Sequence, residues 1–202
     1  MNIVSSARQI YGALHMQSEM QNCLDFLSTK QLKGFIEIGS ANGASFHCWA
    51  CVIPDGPKVS VDINYGFGIG VEILTGVTNM PLTPSSELAW PAAKRRNDMW
   101  RAHFDNVRIV EGNSMARETI DATRVVLATE KVDWLFIDAC HEDAAVTQDL
   151  TNYKQFVNPG GYIGFHDVHQ TEDMEAFWTR IKSEHPDYIE VQGGTGIGII
   201  PV

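Results

Sequence analysis

The chain is short of positive charge, of cysteine and of long apolar runs, and each shortage excludes something. Its 202 residues carry 15 Lys+Arg against 25 Asp+Glu, a formal net charge of −10. An acid excess of that size repels a polyphosphate, which disfavours a protein built to hold DNA or RNA over a broad surface. The densest cationic run, Lys94-Arg95-Arg96 with Arg101, is expected to be a solvated helix face. Four cysteines (Cys23, Cys48, Cys51, Cys140) do not make a disulfide scaffold, and no Asn-x-Ser/Thr acceptor occurs. No apolar stretch reaches membrane-spanning length, and residues 1–8 lack the charged segment and apolar run of a signal peptide. A soluble, cytoplasmic protein without membrane association is the expectation. Cys48 and Cys51 have a CxxC spacing, but no second Cys/His pair lies nearby to complete a zinc site. Both are expected to be buried packing on a helix.

What is present is an alternation of short apolar strands and helical stripes. A hydrophobic share of 44% over this length suits one domain, residues 1–202, with a real core. Met16, Met20, Cys23, Leu24 and Leu27 mark one helix face within a helical N-terminal segment, 1–30. Strands are expected at 34–38, 58–62, 107–110, 132–138 and 162–165, with two more at 188–191 and 196–200. Helices fall between them, over 44–51, 85–104, the stripe Val146-Leu150-Tyr153-Val157 and the stripe Met174-Phe177-Trp178-Ile181. Pro159-Gly160-Gly161 is expected to stop the helix before the fifth strand. This rhythm predicts a mostly parallel sheet covered on both faces, with ligands bound beyond the carboxyl ends of the strands. The segment from Asn64 to Pro84, rich in Gly and Pro, breaks the rhythm and is expected to be an insertion or flap. Tyr65, Phe67, Met80, Trp90 and Trp100 lie in or beside it and either lid a ring-containing substrate or belong to the core.

Chemistry-bearing residues collect at the strand ends. The first strand runs into Glu37-Ile38-Gly39-Ser40-Ala41-Asn42-Gly43, a turn whose glycines let backbone approach a ligand and whose following helix offers unpaired N–H donors. Asp62 ends the next strand, where a carboxylate accepts both hydroxyls of a ribose; the competing reading is a helix N-cap or turn acid. These motifs, with Glu111-Gly112-Asn113-Ser114 after the third strand and Phe136-Ile137-Asp138-Ala139-Cys140-His141 after the fourth, resemble in order those of class I S-adenosylmethionine-dependent methyltransferases. The run from Phe136 to Val168 resembles more narrowly the small-molecule O-methyltransferases related to macrolide-sugar O-methyltransferases and cephalosporin-tailoring proteins. That resemblance implies an α/β, Rossmann-like, seven-stranded and mostly parallel sheet with an antiparallel last strand and helices on both faces. It also implies an S-adenosylmethionine site formed by Glu37, Gly39, Ser40, Gly43, Asp62, Asn113, Ser114 and Asp138.

Asp138, His141, His166 and Asp167 end two strands joined by one helix, so a parallel sheet makes them neighbours. Carboxylates and imidazole meeting there can hold a divalent cation such as Mg²⁺ with positions left for substrate oxygens. The resemblance implies Asp138 and Asp167 as ligands, with His166 where an acid is usual, and His141 as general base beside Asp138. The bland alternatives are that His141 caps the next helix and that His166 and His169 satisfy loop hydrogen bonds. Glu142 and Asp143 are expected only to suit a helix macrodipole. The function expected is methyl transfer to a hydroxyl of a small-molecule acceptor. A metal-independent or N-directed methyltransferase is the alternative, and a hydrolase using Ser114 in Gly112-Asn113-Ser114-Met115-Ala116 is a remote one. A dehydrogenase is excluded because Gly193-Gly194-Thr195-Gly196 has no helix after it. The N-terminal segment either covers the site or makes homodimer contacts.

Overall fold

The computed structural model describes residues 2–11, 17–63 and 89–202, with residues 89–92 described by backbone alone. The expected flap at 64–84, Met16 of the N-terminal stripe, and the side chains of Tyr65, Phe67, Met80 and Trp90 lie outside the described residues.

Helices α1 (Ile3–Tyr11) and α2 (Gln17–Ser28) precede β1 (Phe35–Ile38), α3 (Ala44–Val52), β2 (Lys58–Asp62), α4 (Ala89–His103) and β3 (Val107–Glu111). Then come α5 (Arg117–Leu127), β4 (Val132–Ile137), α6 (Asp143–Tyr153), β5 (Val157–Phe165), α7 (Glu172–Glu184), β6 (Ile189–Val191) and β7 (Ile197–Pro201). The seven strands form one sheet in the order β3-β2-β1-β4-β5-β7-β6. The pairs β1–β2, β1–β4, β2–β3 and β4–β5 are parallel, and β7 is antiparallel to both β5 and β6. Strand order reverses between β1 and β4, which opens a crevice at their carboxyl ends.

Side-chain alternation along the strands divides the core into two layers. Phe35, Trp134 and Phe136 face a layer with α1, α2, α3 and Trp100 of α4. Ile36, Ile38, Leu135 and Ile137 face a layer with Leu127, Val146, Tyr153, Phe177 and Trp178 from α5, α6 and α7. Both faces are therefore covered, and β1 and β2 are buried along their whole length. Trp100 is core rather than lid, stacked on Phe46 with ring centroids 4.0 Å apart. Cys48 is buried as expected but Cys51 is exposed, because the helix turns it away from the layer that takes Cys48. Among the described residues no helix is long and apolar enough to cross a membrane.

Two boundaries differ from expectation. Helix α6 ends at Tyr153 and a 3-10 turn, Lys154–Phe156, follows, so Val157 belongs to β5 and not to the helical stripe. Pro159-Gly160-Gly161 lies inside β5 instead of stopping the helix. The strand tolerates it because the pairing with β4 shifts register between Val132 and Trp134, where a residue without N–H costs no ladder bond. Asn158 Nδ2 donates to Asp133 Oδ1 at 2.7 Å and Gly160 N to Val202 O at 2.7 Å, which holds the irregular stretch in place.

Gly164 and Gly198, on the paired β5 and β7, make room for the Trp134 and Trp178 rings. A Cβ built at Gly164 would overlap the Trp134 ring and approach Phe136 Cδ2 at 3.1 Å. Gly164→Ala is therefore expected to destabilise the fold by roughly 1–3 kcal/mol through overpacking, seen as a lower urea midpoint with unchanged m-value; an unchanged midpoint contradicts the packing described.

Candidate active site at the ends of β1, β4 and β5

The turn after β1 is shaped by its own protein neighbours. Gly39 has φ 83°, and a Cβ there would overlap the Asp138 carbonyl, so only glycine lets β1 and β4 run this close at their ends. Ser40 N and Ala41 N donate to Asp62 Oδ2 at 2.6 and 2.9 Å, and the Ser40 and Ser60 hydroxyls lie 2.8 Å apart. The turn-acid alternative thus describes what one oxygen of Asp62 does. Gly43, at φ 95°, is the residue before α3, and a Cβ there would overlap Trp100 and meet Arg96 Cδ at 2.8 Å.

Arg96 is the one residue of the cationic run that departs from the expectation of a solvated face. It is 0% exposed, its Nη1 donates to Ala41 O, and its guanidinium carbon lies 4.7 Å from the Trp100 ring centroid. Burial pulls its pKa down while Asp62 and Glu37 push it up. Lys94, Arg95 and Arg101 are exposed as expected, Lys94 pairing with Asp98 at 2.7 Å on the surface. The signal was present: Arg96 stands four residues before Trp100, on the face of α4 that packs on the turn.

Glu37 is fully buried on the aromatic side of the sheet, and its Oε1 accepts the Trp49 indole N–H at 2.9 Å. Burial pushes its carboxyl up to about 7, against the Ser40 and Ser45 hydroxyls and the Trp49 N–H, which act to lower it, while Asp138 adds to the rise. Asn113 is exposed with Oδ1 accepting Met115 N at 3.0 Å, and Ser114 O accepts the Tyr153 hydroxyl at 3.0 Å. Buried Asp149 is pushed up to about 6 by desolvation, with the Ser114 hydroxyl opposing. Ser114 is thus tied to α6, and the histidines gather elsewhere.

They gather where β4 and β5 end. Asp138 N donates to Ile38 O at 2.8 Å and His166 N to Ile137 O at 3.1 Å, continuing the sheet beyond its assigned strands. His141 Nε2 lies 3.4 Å from Asp138 Oδ1 and 3.2 Å from Asp167 Oδ2, while its Nδ1 sits 2.6 Å from Gln170 Oε1. A carbonyl oxygen there favours the Nδ1–H tautomer and leaves Nε2 as the basic atom. The hydrogen bond to Asp138 holds His141 above the usual imidazole range against burial, helped by the charge of Asp167. Helix α6 is preceded by Glu142 and not by His141, so the capping alternative falls away.

Asp138, His141 and Asp167 offer ligand atoms all within 4.8 Å of one another, a donor set that fits a hard divalent cation. His166, read from the sequence as a third ligand, is outside that group and buried. Its Nδ1 lies 3.2 Å from Asp138 Oδ1 and 3.1 Å from Asp167 Oδ2, and its Nε2 lies 3.5 Å from Glu19 Oε2. Burial alone would lower its pKa, but the three carboxylates outweigh that and push it up to about 12, so it stands among them as an imidazolium. Asp167, held below the usual carboxylate range against burial by His166 and Thr195, has φ 58° and accepts the Thr195 hydroxyl from the β6–β7 loop. Glu19, Arg96 and Gln170 are the site residues that sequence reasoning missed. His169 binds Glu190 at 2.9 Å, as its loop alternative held.

This arrangement, a cofactor-type turn and an acid–imidazole cluster side by side on a Rossmann-like sheet, belongs to the methyltransferase class. Residues 36–168 match a family model described as a methyltransferase domain, and the chain belongs to that family. The identity expected from the strand-end motifs is borne out, and the hydrolase alternative with it loses its support. No curated protein matches the sequence. Among solved structures, a Staphylococcus aureus protein given as a caffeoyl-CoA O-methyltransferase superposes with TM-score 0.69 at 14% identity, covering 100% of this chain and 93% of its own. The O-methyltransferase TomG from Streptomyces achromogenes, solved with SAM, gives 0.60 at 16% identity, with 100% and 90% covered. The mycinamycin-pathway methyltransferase MycE, solved with Mg, SAH and mycinamycin VI, gives 0.56 at 15% identity, with 99% of this chain and 53% of that one covered. At these identities the likeness is one of fold.

The buried carboxyl of Glu37 predicts a pH effect on stability. Its folded pKa, about 7, exceeds the ordinary 4.5, so the native state binds the extra proton and loses stability as pH rises from about 4.5 through about 7. Glu37→Gln removes that slope. Relative to wild type, it is expected to gain on the order of 3 kcal/mol between pH 4 and pH 8, measured by urea unfolding at the two pH values; a pH-independent difference refutes the assignment.

Proposed function

We propose that this methyltransferase moves the methyl group of S-adenosylmethionine to a hydroxyl of a small-molecule acceptor in the cytoplasm, assisted by a divalent cation such as Mg²⁺. The observation that carries the reading is the convergence of Asp138, His141 and Asp167 at the ends of β4 and β5, one strand from the glycine turn that Asp62 braces. The solved TomG and MycE complexes support it by analogy of fold.

In this reading the turn Gly39–Gly43 and the N-terminus of α3 receive the methionine end of the donor, and Asp62 takes the ribose hydroxyls. Asn113 and Ser114 flank the adenine side. Glu37, fully buried behind Trp49, supports the turn from beneath instead of touching the donor. Asp138 and Asp167, with His141 close by, are the residues that would hold the cation. When bound, such an ion lowers the pKa of the acceptor hydroxyl and fixes its direction. His141 takes the hydroxyl proton on Nε2, and the two carboxylates stabilise the imidazolium that results. Gln170 holds the ring in the tautomer this requires.

A second, metal-independent reading has its own observation: the cationic His166 already offsets part of the Asp138 and Asp167 charge. In that case His141 acts as base alone.

Calorimetry with S-adenosylhomocysteine is expected to show saturable one-to-one binding, and absence of binding at high-micromolar ligand overturns the donor assignment. His141→Ala is expected to lower kcat by roughly 10²–10⁴-fold with the donor KM little changed. Activity is expected to vanish in EDTA, to return with Mg²⁺ and to be lost in Asp167→Ala; activity that survives both treatments selects the metal-independent reading.

A further inference from the structure

Glu19 is an acid where α2 otherwise buries apolar side chains. Its buried companions are Met20, Cys23, Leu24 and Leu27, yet Glu19 is itself 1% exposed. Its Oε2 lies 3.5 Å from His166 Nε2, and its Oε1 has no hydrogen-bond partner among the described residues. A buried carboxylate so incompletely paired is unfavourable, and an apolar residue would fill the same space without that cost. Packing alone gives no reason for the acid.

The surroundings give one. Helix α2 is pressed against the β6–β7 loop, where a Cβ at Gly193 would meet Glu19 Cβ at 3.3 Å and where Asn22 Nδ2 donates to Gln192 O at 3.5 Å. The same loop carries Thr195, whose hydroxyl donates to Asp167. Three elements therefore close around one imidazole, whose Nδ1 stands between Asp138 Oδ1 and Asp167 Oδ2. Two carboxylates facing each other repel unless a donor is held between them, and a ring bound at only one nitrogen is free to turn about its bond to Cβ.

We propose that Glu19 is a positioning residue: carried into the site by the N-terminal segment, its carboxylate fixes the His166 ring so that Nδ1 keeps the Asp138 and Asp167 carboxylates at the spacing that receives a cation. The cation part rests on the metal-assisted reading above; the fixing of the ring does not. It makes the N-terminal segment a structural part of the catalytic cluster and goes beyond a cover or a dimer contact.

The test compares wild type with Glu19→Gln, which keeps the side-chain shape. Three readouts are taken at neutral pH: imidazole ¹⁵N spectra of the metal-free protein, with His166 assigned by its disappearance in His166→Gln; Mn²⁺ affinity by electron paramagnetic resonance; and S-adenosylhomocysteine affinity as a control for the fold. Expected in Glu19→Gln are displaced His166 ring signals, Mn²⁺ binding weaker by roughly 10–100-fold, and unchanged S-adenosylhomocysteine affinity. Ring signals that stay in place overturn the proposal whatever the metal does, and so does a parallel loss of S-adenosylhomocysteine affinity, which marks general destabilisation. If wild type binds no Mn²⁺, the metal-assisted reading falls, and the ring signals still decide whether Glu19 fixes His166.

Discussion

The close approach of β1 and β4 at their carboxyl ends is the constraint on which the site depends. Ile38 pairs with Ile137, and one residue further on Gly39 lies so near Asp138 that no side chain fits between them. Asp138 N, bonded to Ile38 O at 2.8 Å, continues the pairing past the strands. Because the two strands run parallel and part only there, the turn proposed to receive the donor and the acid proposed to serve the acceptor begin at the same point. Methyl transfer needs the two reactants in line and in contact, and this adjacency is built into the backbone before any side chain is placed.

Around that point the chain manages an unusual concentration of charge. Glu19, Asp138 and Asp167 converge on His166, while Glu37 and Asp62 lie on the side reached by Arg96. The responses differ with surroundings. Glu37, on an aromatic layer where burial outweighs the Ser40 and Ser45 hydroxyls and the Trp49 indole, is pushed towards its neutral form. Asp167, bonded to His166 and Thr195, is held ionised, and His166 is held cationic. The net charge of −10 is thus partly a property of the site, where buried cations offset acids that the surface excess does not describe.

Much of the fold was legible in the sequence because apolar runs of strand length and helical stripes report burial directly. The strand at Lys58–Asp62 falls where expected, as does the antiparallel last strand. The start of β5 was not legible, since Pro-Gly-Gly normally punctuates a chain and only the register shift opposite it in β4 lets the strand continue. The placing of Asp138, His141 and Asp167 followed from strand ends being neighbours in a parallel sheet. That His166 would turn inward did not follow, because adjacent residues at a strand end can exchange roles with one change of backbone angle, here the φ of 58° at Asp167.

Sequence by itself determined the layered sheet, the order of its motifs and the two strand ends where acids and imidazoles meet, because those depend on local periodicity and on chain order. Tertiary structure decided which side chains the site acquires from far along the chain. Glu19 comes from α2, Arg96 from α4 and Thr195 from the β6–β7 loop; the sequence marked Arg96 only as part of a solvated cationic face and gave Glu19 and Thr195 no site role. Only packing fixes their partners, because a charge acquires its meaning from what is buried against it.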